Sequence, residues 1–209
     1  MYERFITLEG GEGAGKTTAL NTIERVLESK GLSYVLTREP GGTIPGERIR
    51  EFLLDPQTGE LQPETELLMM QAARSESICR VVKPALTEGK IVVSDRFDLS
   101  SLAYQGGGRG YEHTQEMVFA QRERLGVVLG LTVFLDVDPN VGRERAKQRG
   151  APDRFEKEKL EFANRVREKF LEYARADSTI KTIDTNKDLR TVQSSVERVI
   201  STYLDSINL

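Results

Sequence analysis

The run Gly10-Gly11-Glu12-Gly13-Ala14-Gly15-Lys16-Thr17 fits a pattern of glycine, any four residues, glycine, lysine, then serine or threonine. Glycines let the backbone take positive φ and point successive N–H groups into one concavity. A helix starting at that concavity adds the positive end of its dipole. Lys16 can then reach the outer phosphates of a nucleotide, and the Thr17 hydroxyl can bind a divalent cation. Residues 10–17, with Thr18 behind them, read as a phosphate-binding loop.

A second group of residues suits the same chemistry. Val92-Val93-Ser94-Asp95 is a β-branched run ending in a carboxylate. Beside a phosphate loop such an aspartate holds Mg2+, directly or through water, so Thr17 and Asp95 are the expected metal ligands. Arg96 follows at the mouth of the same cleft. With Arg38 and Arg50 nearby, the arginines imply a second phosphate group besides that of the nucleotide donor. Arg143, Arg145, Lys147, Arg149 and Arg154 cluster beside Gly150 and Pro152. They read either as a solvated helix face or as a lid over about 143–155. Thr185-Asn186-Lys187-Asp188 imitates a guanine-specificity motif, but Leu189 stands where the motif needs aspartate.

Composition narrows the field. The chain of 209 residues carries 30 Lys plus Arg and 33 Asp plus Glu, a net charge of −3. That balance opposes a protein that coats nucleic acid through bulk charge. Cys79 is the one cysteine and His113 the one histidine. An internal disulfide, a zinc site of several Cys or His and a Ser/His triad are thereby set aside. The first residues lack a signal-peptide core and no run approaches ~20 apolar residues. A cytoplasmic protein without a membrane span is expected.

The elements that must position these residues alternate. Strands are expected at 4–9, 33–37, 91–95, 131–135 and 180–183. Helices are expected at about 16–30, 45–54, 64–88 with an interruption near Pro84, 99–105, 113–125, 139–149, 153–176 and 189–207. Residues 106–110, rich in glycine, read as a loop. Such alternation predicts a single α/β domain over 1–209: a five-stranded parallel sheet flanked by helices on both faces, of the P-loop NTPase type. Ligands then gather at the carboxyl ends of the strands, where Glu9, Arg38, Asp95 and Asp136 stand.

Four blocks together resemble the bacterial thymidylate kinase family of P-loop nucleoside monophosphate kinases. They are residues 9–18; Thr37-Arg38-Glu39-Pro40-Gly41-Gly42-Thr43; Asp95-Arg96-Phe97 with Ser100-Ser101-Leu102-Ala103-Tyr104-Gln105; and Leu135-Asp136-Val137 with Arg149 and Asp153-Arg154. The resemblance implies transfer of the γ-phosphoryl group of ATP to dTMP, with Mg2+, in a homodimer without nucleic-acid or membrane partners. It places Glu12 near the sugar 3′-hydroxyl and Glu39 near the acceptor. Arg50 and Arg96 are implied to clamp the dTMP phosphate, and Arg74 to donate to thymine O4. Ser101 and Gln105 are implied to meet the thymine edge, and Tyr104 to pack on the deoxyribose.

Helical spacing sets Met70 and Arg74 on one face and Ser101 and Gln105 on another, and together the pairs can form the walls of a small-base pocket. Ordinary core packing is the alternative for Met70. Met70 stands where the family usually stacks a phenylalanine, and Phe97 where tyrosine or histidine is commoner. Leu129-Gly130 replaces a usual Pro-Asp. Gly13 follows Glu12, so the loop carries no basic residue besides Lys16. The resemblance then implies that the lid supplies the catalytic arginines, Arg149 and Arg154. A nucleoside kinase, a kinase for another monophosphate and a P-loop switch protein are the competing readings.

Overall fold

A computed structural model of the chain describes residues 2–148 and 153–207. Five parallel strands form one sheet in the order β2-β3-β1-β4-β5. They are β1 (Phe5–Gly10), β2 (Tyr34–Arg38), β3 (Ile91–Asp95), β4 (Leu131–Asp136) and β5 (Ile180–Asp184). Every residue of β1 is buried, as a central strand covered on both faces requires.

Alternate residues feed different cores. Ile6, Leu8, Val133 and Leu135 pack against α1 (Lys16–Ser29) and α9 (Leu189–Ser206) through Ile23, Leu27, Val196 and Ile200. On the other face Phe134 meets Phe162, Val166 and Phe170 of α8 (Leu160–Ala176). There Phe5 and Val92 meet Ile78 and Phe97. The helix after β1 and the helices after β3 thus leave on opposite faces. The crevice at the strands' carboxyl ends opens where they part.

The remaining helices are α2 (Ile44–Leu54), α3 (Pro63–Ser77), α4 (Lys83–Thr87), α5 (Asp98–Ser101), α6 (Thr114–Leu125) and α7 (Pro139–Lys147). The interruption expected near Pro84 is present, while the readings of 106–110 and of the helix from 153 are corrected. The long helix over 64–88 breaks into α3, a π-helical turn at Ile78–Val82, and α4. Pro84 lacks an N–H and its ring would strike the carbonyl four residues back, so the wider turn just ahead of it relieves the clash.

The glycine-rich run at 106–110 is not mainly a loop. A π-helix covers Leu102–Gly108. A Cβ on Gly107 would stand 2.7 Å from Lys169 Cβ, and one on Gly108 2.5 Å from the Phe162 ring. These glycines exist for close approach to α8. The charged helix expected from 153 begins only at Leu160. The Asp153 carboxylate accepts the N–H groups of Phe155 and Glu156, at 2.8 and 2.9 Å, and holds a turn there. Among the described residues no helix is long and apolar enough to cross a membrane.

Candidate active site

The loop after β1 reaches its shape through Gly13 at φ 68° and Gly15 at φ 88°, the latter capping α1. A Cβ on Gly13 would lie 2.1 Å from the Gly142 carbonyl of α7. No side chain fits there, so the absence of a basic residue after Glu12 is imposed by the helix lying across the loop. Lys16, first residue of α1, folds back with Nζ 3.4 and 3.3 Å from the carbonyls of Gly10 and Gly11. Burial lowers its pKa, with Arg96 acting in the same sense and Glu12, Asp95 and Glu9 opposing. A desolvated ammonium on a glycine-rich loop at the N-terminus of a helix makes an anion site.

Arg96 follows β3 at φ 71°, the one non-glycine at positive φ among the described residues. Such backbone is retained only where its surroundings over-determine it. Its N–H bonds the Leu8 carbonyl at 2.8 Å. Its guanidinium donates to the Gly10 carbonyl (2.8 Å), Ser100 Oγ (3.0 Å), Glu12 Oε1 (3.0 Å) and the Tyr104 hydroxyl (3.1 Å). Burial alone would lower the Arg96 pKa, but Tyr104, Glu12, Asp95 and Glu9 overcome it and push the pKa up. Arg96 is therefore a fixed cation at the boundary between loop and acceptor side.

Glu9 buttresses this segment from β1. It accepts the N–H groups of Phe97 (2.8 Å) and Ser100 (3.3 Å) and the Ser100 hydroxyl. Burial raises its pKa to about 7, despite the Ser100 hydrogen bond and Arg96.

Gly13, Gly15, Lys16 and Arg96 line one cleft of about 530 Å3, and Glu9 stands behind it rather than on its wall. From the expected set the cleft gathers Glu12 through Thr18, Glu39, Arg50, Met70, Arg74, Asp95, Arg96, Phe97, Ser101, Tyr104 and Gln105. Arg50 donates to the Pro40 carbonyl at 3.0 Å. Arg38, also on the cleft, is paired with Glu47 at 2.8 Å. Phe97 is buried edge-on against Phe5, its ring beneath the Arg74 guanidinium.

Arg74 is buried and almost fully engaged. Nε donates to Glu39 Oε2 at 2.7 Å, and Nη2 to the Phe97 carbonyl (3.1 Å) and Ser101 Oγ (2.9 Å). Nη1 is buried without a partner. A lone charged N–H group at the wall of a cleft demands an acceptor from a ligand. Glu39 is also buried, which lifts its pKa to about 7 against the pull of Arg74.

Asp95 Oδ1 is likewise buried without a partner. One carboxylate and the Thr17 hydroxyl, both on the cleft, fit a Mg2+ ion. That ion is commonly held by one or two carboxylates plus substrate phosphates.

The lid expectation divides. Arg149 lies outside the described residues. Arg154 is a correction: the structure does not bring it to the cleft. Its Nε donates to the Leu53 carbonyl at 2.7 Å, and Nη2 stands 2.6 Å from Glu66 Oε2. The turn held by Asp153 swings Arg154 inward, where the fully buried Glu66 carboxylate needs a cation. Asp153, Phe155 and Glu156 face the cleft instead.

Among the described residues of the basic cluster Arg145 lines the cleft, donating to the Thr185 carbonyl at 3.0 Å. Sequence reasoning grouped it with its neighbours, because helical phase alone did not say which arginine turned inward. Ser100 carried a signal in its place within the third block. Phe155 and Glu156 carried none, since a charged run reads as solvated helix. Asp136, at a strand end, is occupied by Arg167 at 2.7 Å.

A parallel P-loop sheet whose cleft carries Arg38, Arg50, Arg74 and Arg96 beside the loop has the form of a nucleotide-dependent phosphotransferase with a phosphorylated acceptor. The model of the thymidylate kinase family matches residues 8–196, and the chain belongs to that family. It is 43% identical to a thymidylate kinase of Pseudoalteromonas translucida over 203 residues, covering 97% of this chain and 98% of that protein. It is 43% identical to one of Colwellia psychrerythraea over 202 residues, covering 96% and 95%. A crystal structure of thymidylate kinase from Ehrlichia chaffeensis superposes with a TM-score of 0.75 at 32% identity, covering 94% of this chain and 97% of that one.

Proposed function

We propose that the chain phosphorylates dTMP with ATP, giving dTDP and ADP, and that the two halves of its cleft divide the task. The loop from Gly10 to Thr18 binds the phosphates of ATP. Arg96 and Arg50 hold the dTMP phosphate. That phosphate already carries the nucleophilic oxygen as an anion, so no general base is required. The residues work by alignment and by fixed positive charge around a loose in-line transfer. Lys16 faces the charge that develops on the donor side.

Thr17 and Asp95 would hold Mg2+, which would supply positive charge to neutralise the donor phosphates. Arg149 closes from the lid, and Arg145 is the cleft-facing arginine of α7. The segment 143–155 serves as that lid within one domain spanning the chain.

The observation that carries the substrate is Arg74 Nη1, a buried donor without a partner at the cleft wall. It suits the O4 acceptor of thymine. Met70 lies against the base, Gln105 and Ser101 bound its edge, and Tyr104 and Glu12 face the sugar. A nucleoside kinase would need a carboxylate base instead. Glu12 is tied to Arg96 at 3.0 Å and Glu39 to Arg74 at 2.7 Å, which disfavours either in that role.

An ADP-release assay across dTMP, dUMP, dCMP, dGMP and thymidine tests the reading. Preference for dTMP is expected, and turnover of thymidine in its place would overturn it. A cytoplasmic homodimer is the proposed setting. Exposed Phe52 and Leu68, on the adjoining helices α2 and α3, support a self-association surface, and sedimentation of the protein tests it.

A further inference from the structure

Behind the base pocket lies a buried ion cluster that the phosphoryl-transfer machinery does not use. Its centre is Glu66 on α3, fully buried. Glu66, Met70 and Arg74 follow at intervals of four residues, so they share the helix face that walls the pocket. Glu66 Oε1 accepts from Gln105 Nε2 at 2.8 Å and from Arg109 Nε at 3.3 Å. Glu66 Oε2 is 3.2 Å from Arg109 Nη2 and 2.6 Å from Arg154 Nη2. Arg109 also pairs with Glu158. Two arginines thus offset the cost of burying one carboxylate.

The chemistry of this contact fixes the orientation of Gln105. A carboxylate offers lone pairs only, so the Gln105 terminus facing it must be the NH2 group. The amide's carbonyl oxygen is then the terminus left for a ligand in the cleft that Gln105 lines. Arg74 Nη1 presents a donor on the same wall. Donor and acceptor together complement a base with a carbonyl oxygen beside a ring N–H, as in thymine and uracil. Cytosine offers an amino group beside a bare ring nitrogen and opposes both.

We propose that Glu66 is a specificity-positioning residue, which locks the Gln105 amide with its carbonyl toward the nucleobase and thereby rejects cytosine nucleotides. This rests on the assignment of Gln105 to the base edge proposed above. Arg109 and Arg154 hold Glu66 in turn, so Arg154 serves base selection rather than phosphoryl transfer. Each end of the cluster sits on a different element, and Glu66 is the atom group they share.

The test is E66Q, isosteric with the native residue. A glutamine can either accept from or donate to Gln105, so the amide lock is lost. The kcat/KM ratio for dTMP over dCMP should fall at least about tenfold, since a site built for a donor–acceptor pair discriminates by orders of magnitude. The fall should lie mostly in KM. A merely structural role would lower both substrates together and leave the ratio unchanged, which overturns the proposal. Wild-type protein that shows no preference for dTMP over dCMP would instead overturn the base-edge reading itself.

A measurement on the unmodified protein stands beside this in case E66Q does not fold. The Gln105 side-chain NH2 resonances, read by 1H–15N NMR, should change little when dTMP is added, because those protons face Glu66. Direct contact of those protons with the bound base would overturn the proposal.

Discussion

Gly13→Ala, compared with Gly15→Ala, tests whether α7 fixes the phosphate loop by direct backbone contact. Both glycines sit at positive φ, 68° and 88°, so alanine at either carries the left-handed penalty of roughly 1–2 kcal/mol. Their surroundings differ. A Cβ on Gly15 meets nothing within 4 Å, whereas one on Gly13 falls 2.1 Å from the Gly142 carbonyl oxygen and 2.6 Å from its Cα. Loop and helix would have to part by about 1 Å, and overpacking of that kind costs roughly 1–3 kcal/mol. Gly13→Ala should therefore lose about 2–5 kcal/mol and Gly15→Ala about 1–2 kcal/mol. For a chain of this size each kcal/mol is worth ~2–4 °C in Tm. Calorimetry without nucleotide keeps any clash between the new methyl and bound phosphates out of the comparison. Turnover should also suffer in Gly13→Ala, since a displacement of about 1 Å can cost ~100-fold. Equal Tm losses for the two variants would refute the reasoning, as would a neutral Gly142→Ala, whose Cβ would stand 2.3 Å from the Glu12 carbonyl.

Lys16→Ala should cut kcat by about 10²–10³ while Tm holds, because burial already disfavours the ammonium; normal kcat would remove Lys16 from the transfer step. Arg154→Ala should destabilise by about 3–5 kcal/mol through the uncompensated cluster with kcat near normal, whereas Arg149→Ala should lower kcat at least about tenfold with dTMP Kd unchanged; the reverse pattern in paired kinetics and urea unfolding would restore Arg154 to the lid. Glu9 has a folded pKa of about 7 against 4.5 ordinarily, so its contribution to stability is complete below pH about 4.5 and is lost as pH rises through about 7. Glu9→Gln should remove up to about 3 kcal/mol of that fall; unfolding curves with the same slope in both proteins would contradict it. Met70→Phe should tighten dTMP binding by about 0.5–1.5 kcal/mol through a better stacking face, and weaker binding by calorimetry would return Met70 to the core.

Much of the site could be read before the fold because its chemistry is local. The loop from Gly10 to Thr17 needs its glycines, lysine and threonine at fixed spacing, and the structure sets Glu12 to Thr18 of it on the cleft. Asp95 and Arg96 were legible as the end of a β-branched strand. Met70 and Arg74, and Ser101 and Gln105, could be paired because each is four apart on a helix. The π-helical segments escaped that reasoning, since periodicity does not distinguish a widened turn from a helix end. The glycines at 107 and 108 misled for a related reason: a glycine needed for close approach looks the same in sequence as one needed for a turn.

The sequence by itself determined the strand–helix alternation, the spacing of the phosphate-loop motif, and the shared helix faces of Met70 with Arg74 and Ser101 with Gln105. These depend on neighbours within a turn or two of chain. Tertiary structure decided which arginine faces the cleft. Arg154 lies in a basic run that reads as a lid, yet it turns inward because Glu66, 88 positions earlier, is buried and needs a cation. It also decided why the loop carries Gly13, since only the packing of Gly142 against it leaves no room for a side chain. Charge pairing in a low-dielectric interior and backbone contact between distant segments act through space, and no local pattern of residue types records them.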